Sequence, residues 1–121
     1  MSRPRRSRPA PAPEELTAGL PAVDPAGRPV RVVVLGREGC HLCEVAAAVV
    51  AEEAAAVGAG WVERQVTASP SLLQRYAEHV PVVFVDGTEH ARLRVDRDRL
   101  RAALRPRRRG LRDFVQAFTK S

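Results

Sequence analysis

The sequence predicts an α/β fold in which helices flank a four-stranded mixed sheet, with elements in the order β-α-β-α-β-β-α. Three features carry this. A β-branched run, Val30 to Leu35, is followed by an alanine-rich stretch without proline, His41 to Val57, and then by a second short strand, Trp61 to Val66. A strand, helix, strand unit of this kind makes a parallel pair joined by a crossover. Two further runs, Val82 to Val85 and His90 to Val95, flank Asp86-Gly87, a dipeptide that favours a tight hairpin and so adds an antiparallel pair.

Each element has a local cause. Residues 1–28 hold six of the ten prolines among Arg, Ala and Gly, a composition that builds no core and is expected to be disordered. Val30 to Leu35 is apolar on both faces, the mark of a buried strand, and Gly36 to Gly39 read as the loop after it. The helix from His41 ends where Gly58 and Gly60 stop it. Ser69-Pro70 supplies an N-cap followed by proline at the first helical position. Leu72, Leu73 and Tyr76 then give Ser71 to His79 an apolar stripe. Ala91, Leu93 and Val95 alternate with His90, Arg92 and Arg94 in the last strand. Asp96 caps a final helix through Arg105, with Leu100, Ala103 and Leu104 facing inward. Trp61 and Phe84 read as core. The domain is thus expected over residues 29–105, followed by a basic extension over 106–121. There Leu111, Phe114, Val115 and Phe118 recur at helical spacing.

Charge and composition narrow the function. The net charge is +6, but residues 1–27 and 28–105 each contribute only +1, and residues 106–121 contribute +4. The basic excess is a terminal appendage rather than a folded face, which argues against a nucleic-acid partner. The apolar stretches fall short of the roughly 18 to 20 residues that cross a bilayer, so no membrane partner is expected. Prolines and glutamates follow Arg3, Arg5, Arg6 and Arg8 where a signal peptide would place its apolar core. The expected compartment is the cytoplasm.

Cys40 and Cys43 are the only cysteines, and in a cytosolic chain a close pair is more often catalytic or metal-binding than structural. They fall where the loop becomes the helix. At i and i+3 their sulfurs share a helix face. The first also meets the unsatisfied N–H groups and positive dipole end that stabilise a thiolate. Such surroundings lower a thiol pKa from about 8.5 to roughly 3.5 to 7.5, so Cys40 reads as the nucleophile and Cys43 as the resolving cysteine. Structural zinc needs four ligands, and beyond the cysteines only His41, His79 and His90 are available, so no metal site is expected within one chain. An iron–sulfur cluster shared between two copies stays open. A protonated His41 would favour the neighbouring thiolate. His79 and His90 read as surface residues.

The string Gly39-Cys40-His41-Leu42-Cys43, the Val80-Pro81-Val82 step and the Asp86-Gly87 turn before Arg94-Val95-Asp96 together resemble the glutaredoxin-like branch of the thioredoxin superfamily, over residues 29–105. The resemblance implies the thioredoxin-like fold and a cis bond before Pro81, which would stand beside the cysteines. It also implies a Val80 backbone that pairs with a substrate disulfide, and an Arg37 that contacts a carboxylate of a small thiol. Substrate-binding candidates are therefore Arg37, His41, Val80 and Pro81. Independently of any resemblance, proline at a strand mouth fits a first residue, an edge or a turn. Glutathione-using members carry tyrosine between the cysteines, threonine two before the strand proline and a Gly-Gly-Asp turn. Here those places hold His41 and Leu42, His79, and Arg94-Val95-Asp96. The implied activity is thiol-disulfide exchange with no bound cofactor. A low-molecular-weight thiol would act as co-substrate, and a disulfide-containing protein or small molecule as partner, on a monomer. The competing expectation is a redox-responsive binding module, with the cysteine pair as switch and the Arg-rich tail contacting nucleic acid or an acidic protein.

Overall fold

A computed structural model of the chain describes residues 10–105. Strands β1 (Val30–Gly36), β2 (Gly60–Gln65), β3 (Val82–Val85) and β4 (Thr88–Arg92) form one sheet in the order β2-β1-β3-β4. β1 is parallel to β2 and antiparallel to β3, and β3 is antiparallel to β4. The helices are α1 (Glu14–Thr17), α2 (His41–Ala56), α3 (Pro70–Tyr76) and α4 (Arg97–Leu104), with a short 3₁₀ turn at Val66–Ala68. This is the thioredoxin-like arrangement, with the expected element order from β1 onward.

Central position explains why β1 and β3 lack polar alternation: both faces are covered. Val33, Leu35, Val82 and Phe84 pack with Leu16, Leu72 and Tyr76 from α1 and α3. Val32, Val34, Val83 and Val85 pack with Val50, Leu100 and Leu104 from α2 and α4. On the first face the rings of Tyr76 and Phe84 meet edge-on, 5.8 Å between centroids. Trp61 is half-buried against the second cluster. The expected caps form: Ser69 Oγ accepts from Leu72 N at 3.1 Å, and Asp96 Oδ1 accepts from Arg99 N at 3.0 Å. The hairpin turns through Asp86 and Gly87 at φ 50° and 83°, the two left-handed residues that a type I′ turn requires.

The inner surface of α2 carries one acid. Glu53 is 5% exposed and accepts hydrogen bonds from Arg101 and Arg97 of α4 at 2.8 to 3.0 Å. These two guanidiniums hold its carboxyl at about 2, against an ordinary 4.5.

Four expectations need correction. The disordered segment expected over residues 1–28 is instead built into the fold from Ala10 onward. Ala12 N–H donates to the Gly87 carbonyl, Glu89 N–H donates to the Ala10 carbonyl, and Leu16 is fully buried. Proline-rich chain cannot make a core of its own, but one leucine at the right place can complete another. The last strand ends at Arg92 rather than Val95, because Leu93 turns to φ 65° and donates its N–H to the Pro81 carbonyl at 2.7 Å. A bulge between Val83 and Phe84 shifts the register of β4. Leu73 is exposed, since the pair Leu72 and Tyr76 already fills the inward face of a helix only seven residues long. Gly36 closes β1, paired with Gln65, instead of opening the loop. The expected helix in the basic extension lies outside the described residues.

Candidate redox site

The site is assembled where β1 hands the chain to α2. β1 ends at Gly36, the exposed residues Arg37, Glu38 and Gly39 turn the backbone, and α2 begins at His41. Gly39 adopts φ 73°, a left-handed conformation that glycine takes without steric cost, and the turn brings Cys40 back over the strand end. Cys40 has extended backbone angles and is the N-cap of α2.

Cys40 and Cys43 are joined as a disulfide, with 5.2 Å between their Cα atoms. The Cys43 N–H donates to Cys40 Sγ at 3.1 Å. The sulfur therefore takes the place that a serine or aspartate oxygen takes at other helix starts, facing otherwise unsatisfied donors. Cys40 is half-buried, whereas Cys43 is 4% exposed and belongs to the core cluster that also holds Val80, Leu35 and Val82. One cysteine is presented and the other is held beneath it.

The depth of Cys43 depends on Gly36, a residue that sequence reasoning assigned only to a loop. A β-carbon at Gly36 would stand 3.1 Å from Cys43 Sγ and 3.2 Å from its Cβ, closer than side chains normally pack. A glycine four residues before the first cysteine is the signal for it, but its meaning depends on knowing that the strand end passes directly under the helix.

Of the candidate binding residues, the structure places Val80 and Pro81 with the cysteines and leaves Arg37 and His41 at the surface. The Val80–Pro81 bond is cis, both residues are buried, and Val80 packs in the same cluster as Cys43, with Cys40 against it. Among the described residues, no hydrogen bond takes up the Val80 N–H or carbonyl. Arg37 and His41 are exposed on the loop and on the first residue of α2. Beside the pair, Leu42, Val45 and Leu93 form an exposed apolar margin, between 41% and 46% exposed. Together with Ala46, Val49 and Val95 they line a groove of about 260 Å³. Sequence reading misses it because it places Leu93 within the alternating run of the last strand. Among the described residues, no group of three or more His, Cys, Asp or Glu side chains could hold a metal ion, and no helix is long and apolar enough to cross a membrane.

Comparison with known proteins agrees with this architecture. Uncharacterised proteins of Mycobacterium bovis and Mycobacterium tuberculosis are 35% identical over 77 residues, covering 60% of this chain and 79% of theirs. The solution structure of protein Ne2328 from Nitrosomonas europaea is 31% identical, with a TM-score of 0.55 over 62% of this chain and 91% of that one. The X-ray structure of protein XcR50 from X. campestris is 28% identical, with a TM-score of 0.51 over 60% of this chain and 93% of that one. The model of the glutaredoxin-like domain (DUF836) matches residues 31–105, the stretch that runs from the central strand through the last helix and contains both cysteines. The chain belongs to that glutaredoxin-like family, on a thioredoxin-like fold with a redox-type cysteine pair.

Proposed function

We propose that the protein is a thiol-disulfide oxidoreductase in which Cys40 is the nucleophile and Cys43 the resolving cysteine. The observation that carries this reading is the arrangement of the pair. Cys40 is half-buried and its Sγ accepts the Cys43 N–H at the start of α2, whereas Cys43, one helical turn on, is 4% exposed. In the reduced protein, the Cys40 thiolate attacks one sulfur of a substrate disulfide. A Cys40–substrate mixed disulfide forms and the other substrate sulfur leaves as a thiolate. Cys43, deprotonated as it reacts, attacks Cys40 Sγ and expels the second substrate thiolate. Two electrons have then passed to the substrate, both its sulfurs are reduced, and the protein holds the Cys40–Cys43 disulfide. Two equivalents of a low-molecular-weight thiol reverse the sequence: the first forms a mixed disulfide with Cys40, the second attacks the thiol's sulfur in it, and the two leave as their own disulfide while the dithiol is restored.

The free N–H and carbonyl of Val80, held by the turn at Pro81, suit a chain laid alongside the mixed disulfide. Arg37 and His41 stand at the exposed rim, where a carboxylate of the small thiol would meet them. The reading takes a disulfide-bearing protein or small molecule as substrate, a monomer as the working unit, no bound cofactor, and the cytoplasm as compartment.

Turnover of a small mixed disulfide, coupled to a thiol and its reductase, tests it. Wild type turns over, Cys40→Ser loses all activity, and Cys43→Ser accumulates a covalent adduct with substrate through Cys40. Equal activity in wild type and Cys40→Ser overturns the reading.

A further inference from the structure

The apolar groove beside the disulfide has one wall in the cysteine motif and the other fastened to Pro81. Leu42, between the two cysteines, shares a face of α2 with Val45 and Val49, and these form the first wall. Leu93 and Val95 form the second. Leu93 N–H donates to the Pro81 carbonyl at 2.7 Å, which fixes that wall to the residue standing with the cysteines. Leu93 is also held in a costly shape. Arg94 N–H donates to the Arg92 carbonyl at 2.6 Å with Leu93 between them at φ 65°, a γ-turn of the rare, strained hand. A glycine would make this turn without strain, yet the chain sets a leucine there and leaves it 46% exposed.

Past the groove the surface turns cationic. Arg94 lines the groove and also an adjoining polar depression of about 300 Å³, which it shares with Glu89, His90, Arg92, Asp96 and Arg99. Arg92 is paired with Glu89, and Asp96 Oδ1 accepts the Arg99 backbone N–H. Among the described residues no carboxylate pairs with the guanidinium of Arg94 or of Arg99. Three guanidiniums thus face two carboxylates, and the surplus positive charge begins at the groove's own edge.

We infer that the substrate is a cysteine in a polypeptide, with an apolar side chain close to it that fills this groove and an acidic residue beyond that meets Arg94. The inference rests on the oxidoreductase reading above and names the substrate class for the same site. Size selects the occupant. At about 260 Å³ the groove is smaller than the roughly 300 to 1,000 Å³ of small-molecule sites, and it suits one or two side chains. Three exposed apolar residues, Leu42, Val45 and Leu93, fall short of the roughly 800 Å² that each partner buries in a stable complex, so a short segment of chain fits better than a second copy. Position selects the register. Leu42 is two residues from Cys40, so a side chain within three residues of the substrate cysteine, about 10 Å of extended chain, reaches the groove. Charge selects the acid, since opposite charge at a rim steers and orients a partner.

Turnover by the full chain tests it, on peptides whose single cysteine carries a small thiol in a disulfide. Cys40 attacks the peptide sulfur, the small thiol leaves as its thiolate, and Cys43 then expels the peptide thiolate. The series places leucine at each of the three positions on either side of the cysteine with aspartate beyond it, against matched peptides with serine for leucine or lysine for aspartate. The best leucine peptide should exceed its serine match by about tenfold in kcat/KM, the size expected of a buried leucine side chain. Leu93→Gly, which keeps the turn, and Val45→Ser should each bring that ratio toward one. Arg94→Glu should turn the preference for aspartate into one for lysine, and added salt should weaken both. Equal turnover of leucine and serine peptides by wild type, with the small mixed disulfide still turned over, overturns this inference alone. No turnover of any of these disulfides overturns the oxidoreductase reading and this one with it. A dimer in sedimentation that Leu93→Gly dissociates would assign the groove to a second copy and overturn the inference.

Discussion

Gly36 and Cys43 are in contact across the junction of strand and helix, and the space where a Gly36 side chain would begin is occupied by the Cys43 sulfur: a β-carbon there would lie 3.1 Å from Sγ. The buried cysteine keeps its depth because the strand ends in a residue without a side chain. Gly36→Val should therefore push Cys43 outward, costing about 1 to 3 kcal/mol as an overpacked core site does. It should also slow closure of the Cys40–Cys43 disulfide from the dithiol. Denaturant unfolding and the rate of disulfide formation read the two effects. An unchanged closing rate would mean that the depth of Cys43 is set elsewhere.

The unequal exposure of the two cysteines makes their reactivities unequal. With a substoichiometric alkylating agent, the reduced protein should be labelled at Cys40 well before Cys43, as read by mass spectrometry of the separated labelled species. Equal labelling would contradict the assignment of Cys40 as the presented sulfur.

Leu16 reaches the core from the segment before β1, where among the described residues it alone is fully buried, with Ala12 packed at the margin of the same cluster. Leu16→Ala should destabilise the protein by about 2 to 5 kcal/mol, the cost of removing a buried leucine side chain. Denaturant titration of the full chain measures this. A change below about 0.5 kcal/mol, the range typical of surface substitutions, would place the N-terminal segment off the fold.

The clamp between α2 and α4 has a pH signature. Arg101 and Arg97 hold Glu53 at about 2 in the folded protein, against an ordinary 4.5. A carboxyl with a lowered folded value stabilises the native state fully above the unfolded value, and the contribution is lost as pH falls toward the folded one. Tm should accordingly decline between about pH 4.5 and 2. Glu53→Gln should lower Tm at neutral pH and show a shallower decline across that window. Parallel curves for the two proteins would remove Glu53 from the acid response.

By itself the sequence determined the strand and helix order from Val30 to Leu104, the caps at Ser69 and Asp96, the Asp86-Gly87 hairpin and the cysteine pair at a helix start. These depend on local physics. β-branched runs, hydrogen-bonding side chains at helix ends and residues that accept positive φ act within a few positions of themselves. Only the tertiary structure decided that Leu16 fills the space between α3 and the sheet, that Gly36 must be bare for Cys43 to sink, and that Leu93 leaves the strand to join an apolar margin beside the disulfide. Each of these is a contact between residues distant in the chain, and periodicity does not register such contacts. Alternation counts Leu93 as part of the last strand, but its N–H meets the Pro81 carbonyl and the strand ends at Arg92. Proline content placed residues 10–28 outside the core, but the open face of the sheet beside α3 gave one leucine a site to occupy.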